Sequence, residues 1–317
     1  MSAGPPRLAV ELAGIHLKNP VIAASGTCGY GIELAEVIDL GLLGGLVSKG
    51  LYLEPREGNP TPRIVETPAG LLNAIGLQGI GVRAFVRDVL PRLVPFDTRV
   101  LVNVCGDTVD EYAEVARILD AAPGVAGLEI NISCPNVRKG GLAFGGDPVM
   151  TREVVSSVRR ATRLPIIPKL SPNVADIALF ARVAEESGAD AISCINTLLG
   201  LVIDVEGRKP KLAFGTGGLS GPAIRPIAVR MAWQAARAVR IPVIGIGGIS
   251  TAQDALEFLI AGCHAVQVGT AAFVNPGVYA SILAGLGDYL VRHGLDDVND
   301  VRGTLRYPGD PCPSPTR

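Results

Sequence analysis

The sequence predicts an α/β fold, a (β/α)8 TIM barrel with a short N-terminal β-hairpin, and three observations carry that reading. Its 317 residues suit one barrel of typically ~250 residues with insertions. Eight short apolar runs alternate with longer stretches of helical periodicity. The runs are continuously hydrophobic rather than alternating, as parallel strands buried on both faces require.

In chain order, LAVELAGIHLKNP (8–20) reads as the hairpin, capping the barrel's bottom. The strands follow as VIAASG (21–26), GGLVSKG (44–50), RVLVNVCG (99–106), GLEINISCP (127–135), PIIPKLSP (165–172), DAISCINT (190–197), PVIGIGGI (242–249) and AVQVGTA (265–271). Amphipathic helices are expected at 107–122, 147–162 and 173–188, the last two opening on Asp147 and Asn173 as caps and the third stopping at Gly188. Alternating strands and helices imply a barrel with right-handed crossovers. A doubly wound open sheet is the competitor, and it lacks a GxGxxG-like signal after the first strand. Residues 1–300 therefore form a single barrel domain, and the polar, proline-rich 301–317 a flexible C-terminal tail.

Composition narrows the function. Aromatics are 4% of the chain, so the core is built from Val, Ile, Leu and Ala. A net charge of -1 argues against nucleic acid as a partner. No basic n-region precedes an apolar h-region, and no apolar run reaches the roughly 18 residues of a membrane span. The expectation is a cytoplasmic protein with no membrane partner. None of the six cysteines forms a CxxC pair and none of the three histidines has ligand spacing. Most of the thiols then read as buried and reduced, and neither a metal site nor a Ser-His-Asp triad is expected.

Polar residues gather at the strand ends: Ser25, Lys49, Asn103, Asn131, Cys134, Lys169, Asn196 and Thr197. In a (β/α)8 barrel the C-terminal strand ends form the active-site face. Stability alone does not explain them, because buried Lys and Asn are unfavourable unless paired. On the last two strands, GIGGIS (245–250) and VGTA (268–271) expose backbone N–H groups that can cradle a phosphate. FGTGGLSGPAIRP (214–226) is expected to complete that ring of donors, with Pro222 opening a helix. The pattern does not distinguish FMN from a sugar phosphate. In NISCPN (131–136), Pro135 cannot continue the ladder, so Cys134 turns out onto the active face. A free cysteine is most often a buried filler, but the flanking Asn residues and neighbouring Lys argue for chemistry. The glycine-rich 137–147 that follows reads as a mobile lid.

These residues carry a family likeness. NPVIAASGT (19–27), VSKGL (47–51), NAIGLQ (73–78), NISCPN (131–136), KLSPN (169–173), SCINT (193–197), GGLSGPAIRP (217–226), IGIGGI (244–249) and VGTA (268–271) resemble the class 1 dihydroorotate dehydrogenases, and within them the NAD-linked subclass, class 1B. The resemblance implies one FMN per chain and oxidation of (S)-dihydroorotate to orotate in pyrimidine biosynthesis. By it, Ser25, Lys49, Gly50, Asn103, Asn131, Lys169, Ile195, Gly221, Gly247, Gly248, Gly269 and Thr270 contact FMN. Lys49, Asn73, Ala74, Ile75, Gly76, Leu77, Asn131, Asn196 and Thr197 contact substrate, and Cys134 is the catalytic base. One departure is local: the family usually continues Leu77-Gln78 with Asn-Pro-Gly, where this chain has Gly79-Ile80-Gly81.

The chemistry fits the residue types. Oxidising the C5–C6 bond removes a proton from C5, given to Cys134, and a hydride from C6, taken by flavin N5. A thiol acts as a base only where positive charge or hydrogen bonds favour its thiolate, and Lys49 is a candidate for that help. Asn side chains suit an acid-amide ring, since each offers a donor and an acceptor. Lys169 near the flavin's pyrimidine end would stabilise the negative charge of reduced FMN. The resemblance further implies a homodimer and a heterotetramer with a partner subunit carrying FAD and a 2Fe–2S cluster, which pass electrons to NAD. The rival readings are the fumarate-linked class 1 enzyme, another FMN barrel acting on pyrimidines such as uracil rings in RNA, a sugar-phosphate aldolase or isomerase using Lys49 or Lys169 as a Schiff base, and a non-catalytic binding barrel.

Overall fold

A computed structural model describes residues 4–132 and 146–309. The eight barrel strands are Val21–Ala23 (β1), Gly45–Val47 (β2), Arg99–Val104 (β3), Val125–Asn131 (β4), Ile166–Leu170 (β5), Ile192–Cys194 (β6), Val243–Ile246 (β7) and Ala265–Val268 (β8). All pair in parallel, and the barrel closes in the order β6-β7-β8-β1-β2-β3-β4-β5. Each expected apolar run supplies one of them. Most of their residues are buried, which is what helices outside and packed side chains inside demand. The hairpin pairs Val10–Leu12 with Ile15–Leu17 around Ala13 and Gly14, both at positive φ (52° and 79°), as a primed two-residue turn requires. Ile15 and Leu17 press on Gly127 of β4 and Gly45 of β2, at the N-terminal end of the barrel.

The outer helices are Ile32–Ala35 (α1), 82–93 (α2), Val109–Asp120 (α3), Pro148–Ala161 (α4), Ile177–Glu186 (α5), Arg225–Ala238 (α6), Ala252–Ile260 (α7) and Val278–His293 (α8). Pro91 in α2 has no amide proton for the carbonyl of Arg87, and the helix widens to a π-helical stretch at Phe85–Val89 just before it. Asp147 caps α4 by accepting from the Val149 amide, as expected. Asn173 does not cap α5. That role belongs to Asp176, which accepts from the amides of Ala178 and Leu179. Asn173 instead donates to the Thr197 carbonyl (3.2 Å) and accepts from the Leu199 amide (2.9 Å), tying the β5 loop to the β6 loop.

A four-stranded antiparallel sheet was not legible in the sequence. It orders Leu198–Gly200, Gly217–Ser220, Gly70–Asn73 and Ile64–Thr67, and it stands beside the barrel mouth. Within the glycine stretch 214–226, Gly217 and Gly218 are strand residues. A Cβ at Gly218 would stand 2.0 Å from Thr197 Oγ1, and one at Gly217 2.7 Å from the Asn73 carbonyl, so strand packing requires glycine at both. At the C-terminus, Gly303 and Leu305 donate to the carbonyls of Leu259 and Ile260 (3.0 and 3.2 Å), and Tyr307 stacks on Trp233 of α6. Among the described residues, no helix is long and apolar enough to cross a membrane.

Candidate active site

A cavity of about 300 Å³ opens where the C-terminal ends of the strands meet the antiparallel sheet. One end is built by glycine. Gly221, Gly247 and Gly248 all have positive φ (96°, 134° and 72°), a region that L side chains rarely adopt. A Cβ on Gly248 would lie 2.8 Å from the Gly221 carbonyl, and one on Gly221 2.6 Å from the Gly70 Cα. Three backbone segments thus converge with no side chain between them. Gly269 and Thr270 follow β8 on the same wall. Thr270 donates its hydroxyl proton to Ser220 Oγ at 2.8 Å, so two hydroxyls join the backbone groups. The nearby α7 N-terminus is already capped by its own Thr251–Asp254 box.

The other end is polar and planar in its chemistry. The Asn131 amide donates to Asn103 Oδ1, and the Asn196 amide to Asn131 Oδ1, both at 3.3 Å. This chain of side-chain amides crosses β3, β4 and the end of β6. Tyr112 of α3 donates its hydroxyl to the Asn131 carbonyl (2.8 Å) and pins the end of β4. Asn73 reaches in from the antiparallel sheet, donating to the Gly218 carbonyl at 3.2 Å. Next to it the chain bends through Gly76 (φ 74°) and Leu77 (φ 55°), held by Asn59, whose side-chain amide donates to the Ala74 carbonyl and whose backbone amide donates to that of Ile75. The Gly79-Ile80-Gly81 departure is accommodated. Gly79 and Arg56 exchange backbone hydrogen bonds, the Ile80 amide donates to Tyr30 Oη, and Gly81 takes φ 80° before α2.

Lys49 and Arg63 bring positive charge. Burial lowers the Lys49 ammonium below its ordinary value, and the charge of Arg63 lowers it further. Arg63 is fixed by donating to Gln78 Oε1 at 2.7 Å. On the pocket wall, Lys169 donates to Ser25 Oγ (3.2 Å) and to the Glu129 carboxylate beneath (3.3 Å). Burial raises the Glu129 carboxyl, but Lys169, with donors from Gln267, Asn103 and Ser193, outweighs it and holds the group below its ordinary value.

Of the residues singled out from sequence, the cavity wall contains Ser25, Lys49, Gly50, Asn103, Asn131, Lys169 and Ile195, the glycines 221, 247, 248 and 269, and Thr270. It also contains Asn73, Ile75, Gly76, Leu77, Asn196 and Thr197. Ala74 is not on the wall; it is fully buried against Leu72 and Leu212 under the antiparallel sheet. Cys134 and all but the last two residues of the expected lid over 137–147 lie outside the described residues. Sequence reasoning missed Arg63, Ser220 and Glu129. Only Glu129 left a signal, an acidic residue inside the apolar run GLEINI.

Fold and site together define a (β/α)8-barrel enzyme whose cavity pairs a glycine-lined anion cradle with a lysine- and asparagine-lined recess. A family model of dihydroorotate dehydrogenase matches residues 7–290, and the chain belongs to that family. It is 57% identical over 303 residues to the catalytic subunit of dihydroorotate dehydrogenase B (NAD(+)) from Desulforudis audaxviator, covering 96% of this chain and 99% of that protein. The proteins of the same name from Pelobacter propionicus and Geobacter sulfurreducens are each 56% identical over 300 residues, covering 95% of this chain and 99% and 98% of theirs.

Proposed function

We propose that this chain binds one FMN, oxidises (S)-dihydroorotate to orotate in pyrimidine biosynthesis, and delivers the electrons to NAD through a partner subunit carrying FAD and a 2Fe–2S cluster. The observation that carries this reading is that both recesses meet in one cavity, in a chain similar over 96% of its length to a catalytic subunit of dihydroorotate dehydrogenase B (NAD(+)). The donor set fits FMN. The converging backbone at Gly221, Gly247, Gly248 and Gly269 leaves room that a Cβ would fill, and Thr270 and Ser220 add hydroxyls suited to a phosphate. Ser25, Gly50, Asn103, Ile195 and Lys169 would hold the ring portion. When bound, FMN supplies the two-electron acceptor for the C6 hydride.

The chain's own residues do the rest. Lys49 and Arg63 place two cations beside a substrate that carries a carboxylate. Asn73, Asn131, Asn196 and Thr197 offer donors and acceptors at the edges of a planar acid-amide ring. The Asn103–Asn131–Asn196 chain keeps those amides aligned before substrate arrives, and such preorganisation is where much of an enzyme's rate comes from. Cys134, by its match to the family motif, takes the C5 proton onto Sγ. A homodimer and a cytoplasmic location complete the reading.

Steady-state assay tests it. The purified chain with dihydroorotate and an artificial dye acceptor is expected to form orotate, and with NAD to form none until the partner subunit is added. Efficient NAD reduction by the isolated chain would remove the partner from the scheme. No orotate with any acceptor would remove the substrate.

A further inference from the structure

Glu129 is fully buried, and it sits in a barrel layer that branched aliphatic residues ordinarily fill. Register explains what surrounds it. β4 pairs with β3 so that Glu129 lies opposite Asn103, while Lys169 of β5 lies beside both Asn131 and Ser193. The carboxylate is shared between two directions. Oε1 faces up, accepting from Asn103 Nδ2 (2.8 Å), Ser25 Oγ (3.2 Å) and Lys169 Nζ (3.3 Å). Oε2 faces down, accepting from Gln267 Nε2 (2.7 Å) and Ser193 Oγ (3.0 Å). The three upper donors all line the cavity, and the carboxylate beneath them does not.

A fold requirement does not account for this arrangement. A buried ion pair is often no more stable than apolar side chains of the same volume, so stability alone gives no reason for a carboxylate here. What the carboxylate does provide is a common acceptor for three cavity-lining groups and one negative charge directly under a positive one.

We propose that Glu129 is the positioning residue of the flavin recess: it orients Lys169, Asn103 and Ser25 from below, and its charge sets the reduction potential of the bound FMN. This rests on the FMN reading above. Reduced FMN carries more negative charge than oxidised FMN, so the net charge of the Lys169–Glu129 pair at the recess would bias the couple. That charge is zero in the wild type, where Lys169 and Glu129 cancel. It is +1 in Glu129→Gln, −1 in Lys169→Met, and zero again in the double variant.

The test is the midpoint potential of FMN in the four holoproteins. Glu129→Gln is expected to raise the ratio of affinities for reduced over oxidised FMN at least tenfold, about 30 mV for a two-electron couple. Lys169→Met is expected to lower it by a similar factor, and the double variant to return between the two. A purely structural Glu129 would reduce thermal stability without reversing the sign of the potential shift. If Glu129→Gln fails to fold, the double variant measured against Lys169→Met reads the same step, since its charges are again balanced. A potential in Glu129→Gln at or below the wild-type value, or a double variant no higher than Lys169→Met, overturns the proposal. Protein that never holds FMN overturns the flavin reading together with it, whereas loaded protein without the charge pattern overturns the Glu129 role alone.

Discussion

A thiol works as a base only when its surroundings favour the thiolate, and three cysteines of this chain are placed where they do not. Burial pushes Cys28 and Cys194 up to about 12 and Cys263 well above its ordinary value. Folded protein is therefore expected to leave these three unmodified by iodoacetamide, read by mass spectrometry, and rapid labelling of any of them would contradict their burial. Cys134 is assigned by motif alone. Cys134→Ala is expected to keep FMN but slow its reduction by dihydroorotate by about 10²-fold or more, the span of general-base effects, measured by stopped-flow absorbance. His264 supplies a pH prediction remote from the chemistry. Burial, and then the charge of Arg302, lower its imidazole from 6.5 to about 4, and its Nδ1 has no hydrogen-bond partner among the described residues. The unfolded chain thus binds a proton that the folded chain refuses as pH falls from 6.5 toward 4, so stability is full above that window and is lost on the way down. His264→Gln is expected to flatten the fall of Tm across it, and an unchanged slope would discount this histidine.

Among the elements, the eight barrel strands were legible because each buries both faces and so reads as an unbroken apolar run. The antiparallel sheet was not. Its strands are three or four residues long, three of the four contain glycine, and Ile64–Thr67 is half exposed, so no unbroken apolar run marks them. The strand at Gly217 and Gly218 was hidden in the same way, since a glycine pair looks alike in a turn and in a crowded strand. Arg63 and Ser220 were missed with the sheet that carries them, and Glu129 because the reading sought polar residues at strand ends, not within them. By contrast the turn at Gly247 and Gly248 was marked by its glycines, and it lies on the cavity. Gly248→Ala would hold a Cβ at φ 72° and 2.7 Å from the Arg225 Cβ. About 1–3 kcal/mol of strain is expected, with FMN affinity reduced at least tenfold by equilibrium dialysis. Wild-type affinity would show that the turn does not hold the phosphate.

For the whole molecule, the division of labour follows the barrel axis. The N-terminal end is closed by the apolar hairpin, and the C-terminal end opens into the cavity where the amide chain, Lys49, Arg63 and Lys169 collect. Sequence made that polarity visible, because the polar residues cluster at one end of each apolar run. What it could not show is the layer joining the two ends, in which the Glu129 carboxylate of β4 links residues of four other strands and the segment after β1. The claim that this architecture oxidises dihydroorotate with FMN is tested most directly by the visible spectrum of the purified chain, recorded without oxygen before and after adding dihydroorotate. A yellow protein that bleaches on addition is expected. A yellow protein that stays yellow would contradict the substrate, and a colourless protein that FMN cannot reconstitute would contradict the cofactor.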